Sequence, residues 1–230
     1  MATGAFEADR ARALSVTPVS RETLERLDRF VALLLKWQRS TNLIATSTLG
    51  ALWTRHVADS LQLIELAPAA KSWVDFGSGG GFPGLPIACA LADTPGAAVH
   101  LVESNRKKAA FLREAARITG APAVIHAMRI DKFVDGFRGH AEVVTARALA
   151  PLKVLLDECF TLVTSRALGI FPKGQDIGVE LTEAATYWKI ESDLVPSRTD
   201  PKGRILVVRA LERRKTAHNE RSDSRGRNRD

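Results

Sequence analysis

Apolar side chains recur at Leu24, Leu27, Val31, Leu34 and Leu35, a spacing that predicts one amphipathic helix over 21–39, with Ser20 in front as its N-cap. Residues 40–47 read as a loop, and a second helix over 49–66 ends before Pro68. The period then changes. Short apolar runs at 73–76, 99–103, 123–126, 142–146 and 167–171 read as strands. Helices over 85–92, 105–119 and 151–164, and a short turn near 130–135, lie between them. The second of these carries its stripe at Ala109, Phe111, Leu112, Ala115, Ala116 and Ile118, and Gly120 stops it. A helix near 176–187 and strands over 189–195 and 204–209 close the chain, and Asp200-Pro-Lys-Gly203 marks the turn between those strands. Strand–helix alternation predicts an α/β, Rossmann-like fold: a mostly parallel seven-stranded sheet with right-handed crossovers, an antiparallel C-terminal hairpin and N-terminal helices in front.

At 230 residues and 45% hydrophobic content, one domain with extensions is expected. Residues 1–19 are expected to be flexible, 20–212 to form the domain (20–68 the front helices, 69–212 the core), and 213–230 to be a disordered basic tail. That tail holds seven Lys/Arg and three Asp/Glu, a net of +4, so of the total of +7 only +3 belongs to the rest. Overall charge is therefore weak evidence for nucleic acid in the body, while the tail suits a polyanion or mere solubility. No apolar run reaches the ~18 residues of a membrane span, and the N-terminus lacks the apolar block of a secretory signal. Cys89 and Cys159 stand alone and the histidines show no ligand spacing, so no metal is expected and a reducing cytoplasm fits.

The chemistry concentrates in Asp75-Phe-Gly-Ser-Gly-Gly-Gly-Phe-Pro-Gly-Leu-Pro86, where five glycines between Gly77 and Gly84 separate a strand from a helix. Such a loop turns free N–H groups toward a ligand. Gly79, Gly81 and Gly84 spell a dinucleotide fingerprint. A helix starting at the second glycine would enclose Pro83 and Pro86, so it must start later, near Leu85 or Pro86, and the loop is more open than a pyrophosphate clamp. Asp75 two residues before the first glycine suits a ligand with ammonium and hydroxyl donors, as S-adenosylmethionine has. Glu103, ending the second strand, suits a ribose in either cofactor. A nicotinamide oxidoreductase is further disfavoured because Tyr187, the only tyrosine, has no Lys four residues on. Arg55 and Asp59 stand at i, i+4 on the second helix, where an ion-pair staple is the plain reading, beside His56.

The ordered set of Lys36-Trp37, Thr41-Asn42-Leu43, Arg55-His56-Val-Ala-Asp59-Ser60-Leu61, the glycine block, Glu103-Ser-Asn-Arg-Lys-Lys, Thr145-Ala-Arg147-Ala148 and Pro172-Lys173-Gly174 resembles the bacterial 16S ribosomal RNA guanine-N7 methyltransferases, also called glucose-inhibited division protein B. Gln38 and Ile44 depart from that pattern, and the arginine-rich tail lies outside it. The resemblance implies S-adenosylmethionine contacts at Gly77, Phe82, Ile130, Asp131 and Arg147, which join Asp75, Gly79 and Glu103 in the expected cofactor set. It implies an active-site role for Arg147; by position and charge, Lys173 after the fifth strand is expected to act with it, and Arg55, His56 and Lys173 are expected to contact RNA. It also implies a cytoplasmic monomer acting on the 530 loop of 16S rRNA in the small ribosomal subunit. Guanine N7 has a lone pair and no proton, so methyl transfer to it requires no general base, and none is evident beside the loop. A methyltransferase on another RNA atom, and a non-catalytic assembly factor with a retained cofactor fold, remain alternatives.

Overall fold

The computed structural model describes residues 3–214. Seven strands form one sheet in the order β3-β2-β1-β4-β5-β7-β6. These are β1 (Ser72–Phe76), β2 (Ala98–Val102), β3 (Ala123–His126), β4 (Val143–Ala146), β5 (Leu168–Lys173), β6 (Trp188–Pro196) and β7 (Arg204–Arg213). The first five run parallel, and β7 pairs antiparallel with both β5 and β6. The order reverses at β1, between β2 and β4. In open α/β sheets such a switch point is where the carboxyl ends of the strands leave room for a ligand.

Helices cover both faces. Against one lie α1 (Thr3–Val16), α2 (Arg21–Trp37), α4 (Gly84–Ala90) and α5 (Arg106–Thr119), with a core of Phe30, Leu34, Trp53, Trp73, Leu85 and Phe111, all buried. Against the other lie α6 (Ile130–Gly136), α7 (Leu152–Thr164) and α8 (Ile177–Ala184), around Phe76, Leu156, Phe171 and Trp188. Strands buried on two faces read as near-continuous apolar runs, as β1 and β4 do apart from Asp75 and Thr145. Ser20 caps α2 by accepting from Thr23 N at 3.1 Å, and Gly120 ends α5 in the left-handed conformation at φ +63°.

Three expectations need correction. The first 19 residues are not flexible throughout: α1 occupies Thr3–Val16, and Asp9 accepts hydrogen bonds from Trp53 N at 2.8 Å and Thr54 Oγ1 at 2.5 Å. The single helix over 49–66 is instead a series of tighter and wider turns. It runs through a 3₁₀ segment (Thr46–Ala51), a π segment (Trp53–Ala58), one α turn, α3 (Asp59–Leu61), and a second 3₁₀ segment (Gln62–Leu66). Arg213 belongs to β7, its guanidinium 4.6 Å from the Trp188 ring and paired with Asp157 at 2.8 Å. The remaining tail, 215–230, lies outside the described residues. Among those residues, no helix is long and apolar enough to cross a membrane.

Candidate active site

A cavity of about 940 Å³ opens at the carboxyl ends of the parallel strands. The glycine loop after β1 (Gly77 to Gly80, with Phe82) forms one wall. Residues 147–151 after β4 form the floor, Pro172, Lys173 and Gly174 at the end of β5 the next wall, and Thr199, Asp200, Gly203 and Arg204 of the β6–β7 connection the far rim. Leu43, Ile44, Thr48, Arg55, His56 and Asp59 close it from the front. Gln38 holds this front lip: its amide donates to Ile44 O at 2.8 Å and accepts from Leu43 N at 3.0 Å.

Local sequence explains the loop. Ser78 N donates to Val102 O at 3.1 Å and Gly81 N to Ser78 O at 2.6 Å, so the chain folds back over β2. Gly77 has φ +65°, and a Cβ there would sit 2.4 Å from Leu149 Cδ1. Gly84 opens α4 with Pro86 in its first turn, so the helix starts one residue before the expected position and still excludes the dinucleotide geometry. A Cβ on Gly84 would meet Leu101 at 2.1 Å, which fixes how closely α4 packs on the sheet.

The expected cofactor residues divide into two sets. Gly77, Gly79, Phe82 and Arg147 line the cavity. Asp75 and Glu103 lie behind the loop. Asp75 is fully buried, and its Oδ2 accepts from Gly84 N at 3.2 Å while Oδ1 has no partner. Burial pushes this carboxyl up to about 7. Glu103 accepts from Gly79 N at 2.9 Å and Asn105 N at 2.7 Å, bracing the loop. Ile130 and Asp131 begin α6, beyond β3 on the same sheet edge but outside the cavity lining, with Asp131 3.4 Å from Arg129.

Arg147 is the most constrained cation of the site. Its Nη1 donates to Arg55 O at 2.9 Å and lies 3.5 Å from Asp59 Oδ2, and its Nη2 donates to His56 Nδ1 at 2.5 Å. The guanidinium carbon stands 5.3 Å from the Phe82 ring centre. Burial draws the guanidinium below its ordinary pKa, against the opposing pull of Asp59. His56 Nε2 contacts Thr48 Oγ1 at 2.8 Å. With Nδ1 accepting, the ring proton sits on Nε2 and donates to Thr48. Burial first, then the charges of Arg147 and Arg55, lower this imidazole to about 3, so it is neutral. The anticipated Arg55–Asp59 staple does not form: Arg55 faces Asp200 at 3.6 Å and Asp59 faces Arg147. Lys173 pairs with Glu180 at 2.8 Å, which also accepts from Leu152 N at 2.7 Å. Sequence reasoning missed Thr48, Glu180 and Thr199, isolated polar residues with no motif around them. It found Asp200 and Gly203 only as a turn.

The cavity fits S-adenosylmethionine. The glycine loop presents backbone without side chains, an aromatic face stands beside it, and an unpartnered carboxylate oxygen lies directly beneath it.

The comparisons agree with this geometry. Residues 23–213 match the family described as GidB, rRNA small subunit methyltransferase G. The chain is 58% identical to the ribosomal RNA small subunit methyltransferase G of Bradyrhizobium sp. (strain BTAi1) over 93% of this chain and 96% of that one. It is 61% identical to the same-named protein of Nitrobacter hamburgensis, over 90% and 80% of the two chains. Among solved structures, the O-methyltransferase TomG from Streptomyces achromogenes in complex with SAM aligns at a TM-score of 0.57 and 12% identity, over 91% of this chain and 99% of that one. TrmN from Thermus thermophilus aligns at a TM-score of 0.50 and 17% identity, over 69% and 50%. These last two show the fold alone, that of class I S-adenosylmethionine-dependent methyltransferases. The family match spans nearly all of the described chain, and the chain belongs to the rRNA small subunit methyltransferase G family.

Proposed function

We propose that this chain methylates N7 of a guanine in the 530 loop of 16S rRNA, using S-adenosylmethionine and no general base. When bound, that cofactor supplies an electrophilic methyl group on a sulfonium. The carrying observation is the state of the cavity's proton acceptors. His56 has its Nδ1 lone pair committed to Arg147 and its Nε2 proton committed to Thr48. Asp59, Asp200 and Glu180 each face a cation, respectively Arg147, Arg55 and Lys173. A cavity whose bases are all engaged suits an acceptor that loses no proton, and N7 is such an acceptor.

In this reading the chain's residues bind and orient. Gly77, Gly79 and Phe82 hold the cofactor against the loop, with Asp75 and Glu103 supporting it from behind and Ile130 and Asp131 framing its adenine end. Arg147 fixes charge at the centre of the cavity. Lys173 and the exposed Arg55 meet the RNA, while His56, buried with both ring nitrogens engaged, bears on Arg147 instead, and the cavity walls keep water from the extruded base. Arg106, Lys107 and Lys108 fill the first turn of α5, which has no acid there. Cations at a helix N-terminus oppose its dipole, so their placement suits an external polyanion. The protein works as a cytoplasmic monomer on the small-subunit RNA.

Incubation with radiolabelled S-adenosylmethionine and undermethylated small subunits should place label at a guanine that N7-specific strand cleavage then cuts. Label at an exocyclic nitrogen or on another base would overturn the reading.

A further inference from the structure

Side chains from three distant parts of the chain converge around Arg147. We propose that His56, Asp59 and Thr199 are positioning residues: His56 and Asp59 aim the Arg147 guanidinium, and Thr199, from the β6–β7 connection, holds Asp59. The inference rests on the reading of Arg147 as part of the transfer site.

The geometry is an accounting of donors. A guanidinium has five N–H groups. Nη1 directs its two at Arg55 O and Asp59 Oδ2, and Nη2 directs one at His56 Nδ1. The Nε–H and the second Nη2–H have no partner among the described residues. The latch thus leaves Arg147 two donors for a planar oxygen acceptor, such as a carboxylate or guanine O6. Asp59 is fixed in turn: its Oδ1 accepts from Thr199 Oγ1 at 2.6 Å and from Gln62 Nε2 at 2.8 Å. Gln62 also accepts from Arg198 N at 2.9 Å, so the β6–β7 connection reaches Asp59 by two routes. Gln62 and Thr199 are both buried. A long arginine side chain held this way has lost its rotamer freedom before any ligand arrives, and that pre-organisation favours a rate step that needs one orientation.

The test compares two His56 variants of the full chain by kcat/KM on undermethylated small-subunit RNA. His56→Asn is smaller but keeps an acceptor where Nδ1 stood; His56→Leu fills more space and offers none. A positioning role predicts that His56→Leu loses about 100-fold and that His56→Asn retains at least about tenfold more activity than it. Neither should add a loss in an Arg147→Ala background. Equal or better activity of His56→Leu would show mere packing and overturn the proposal, as would additive losses. Should thermal melts show His56→Leu unfolded, Thr199→Val replaces it. A loss of about fivefold in kcat, with cofactor affinity by calorimetry unchanged and no further loss beside Arg147→Ala, supports the coupling. A loss that persists beside Arg147→Ala overturns it. Full activity of Arg147→Ala would sink the site reading itself, and the positioning proposal with it.

Discussion

Two buried polar groups lie side by side at the same sheet edge and are built in opposite ways. Around Arg147, every buried acceptor meets a donor: His56, Asp59, Gln62 and Thr199 form one connected network. One step inward, Asp75 and Thr145 are register partners on β1 and β4, both fully buried, and Asp75 Oδ1 and Thr145 Oγ1 have no partner. An unsatisfied buried polar group costs about 1–3 kcal/mol. The satisfied network can aim a side chain at a ligand unaided. The unsatisfied pair is a cost to the fold, concentrated directly under the glycine loop, where sites under functional constraint hold such strain.

The largest effect expected from breaking this contrast is at Arg147. Arg147→Ala should reduce kcat/KM by about 1,000-fold, on the scale of removing one charge-stabilising donor. It should also raise the His56 pKa from about 3 by removing one of the charges that depress it, while burial still holds it below the ordinary imidazole value, a shift readable in an NMR titration. Next is Gly77→Asp, which puts a side chain 2.4 Å from Leu149 at a φ of +65°. Cofactor affinity by calorimetry should fall more than about 100-fold. The third concerns Asp75, whose carboxyl is raised to about 7 from an unfolded value near 4. Between those values the folded state binds the extra proton, so stability falls as pH rises through about 4 to 7. Asp75→Asn should remove this slope in chemical denaturation series at several pH values. An unchanged slope would mean that Asp75 is ionised in the fold throughout. The smallest effect is at the half-exposed Arg55–Asp200 pair, 3.6 Å apart. Arg55→Ala should change stability by under about 1 kcal/mol while lowering the salt slope of RNA binding by about one.

The same contrast shows what a sequence can and cannot reveal. The strands, the hairpin and the glycine loop were legible because each is local: a short apolar run, a turn at 200–203, prolines that displace a helix start. Arg147 was legible through the motif around it. The network that holds it was not, because Asp59 and Thr199 are 140 residues apart. The Arg55–Asp59 pairing failed for a physical reason. A buried guanidinium requires a carboxylate far more than an exposed one does, so Arg147 took Asp59 and left Arg55 the weaker contact with Asp200. Helix α1 escaped notice because its apolar residues form no stripe. It is held instead by Asp9 on Trp53 and Thr54, and by Arg10 on Asp28 at 2.7 Å. The front helix read as regular because 3₁₀ and π turns preserve an apolar pattern while redirecting side chains.

The central claim is that the cavity transfers a methyl group without removing a proton. Its most direct test is the single-turnover methylation rate from about pH 6 to 9, with cofactor and RNA saturating so that ionisation of Asp75 cannot act through cofactor binding. No unit-slope rise with pH is predicted, since His56 is already neutral and its lone pair engaged. A rate that climbs tenfold per pH unit would contradict it, by revealing a base that must be deprotonated before the methyl group moves.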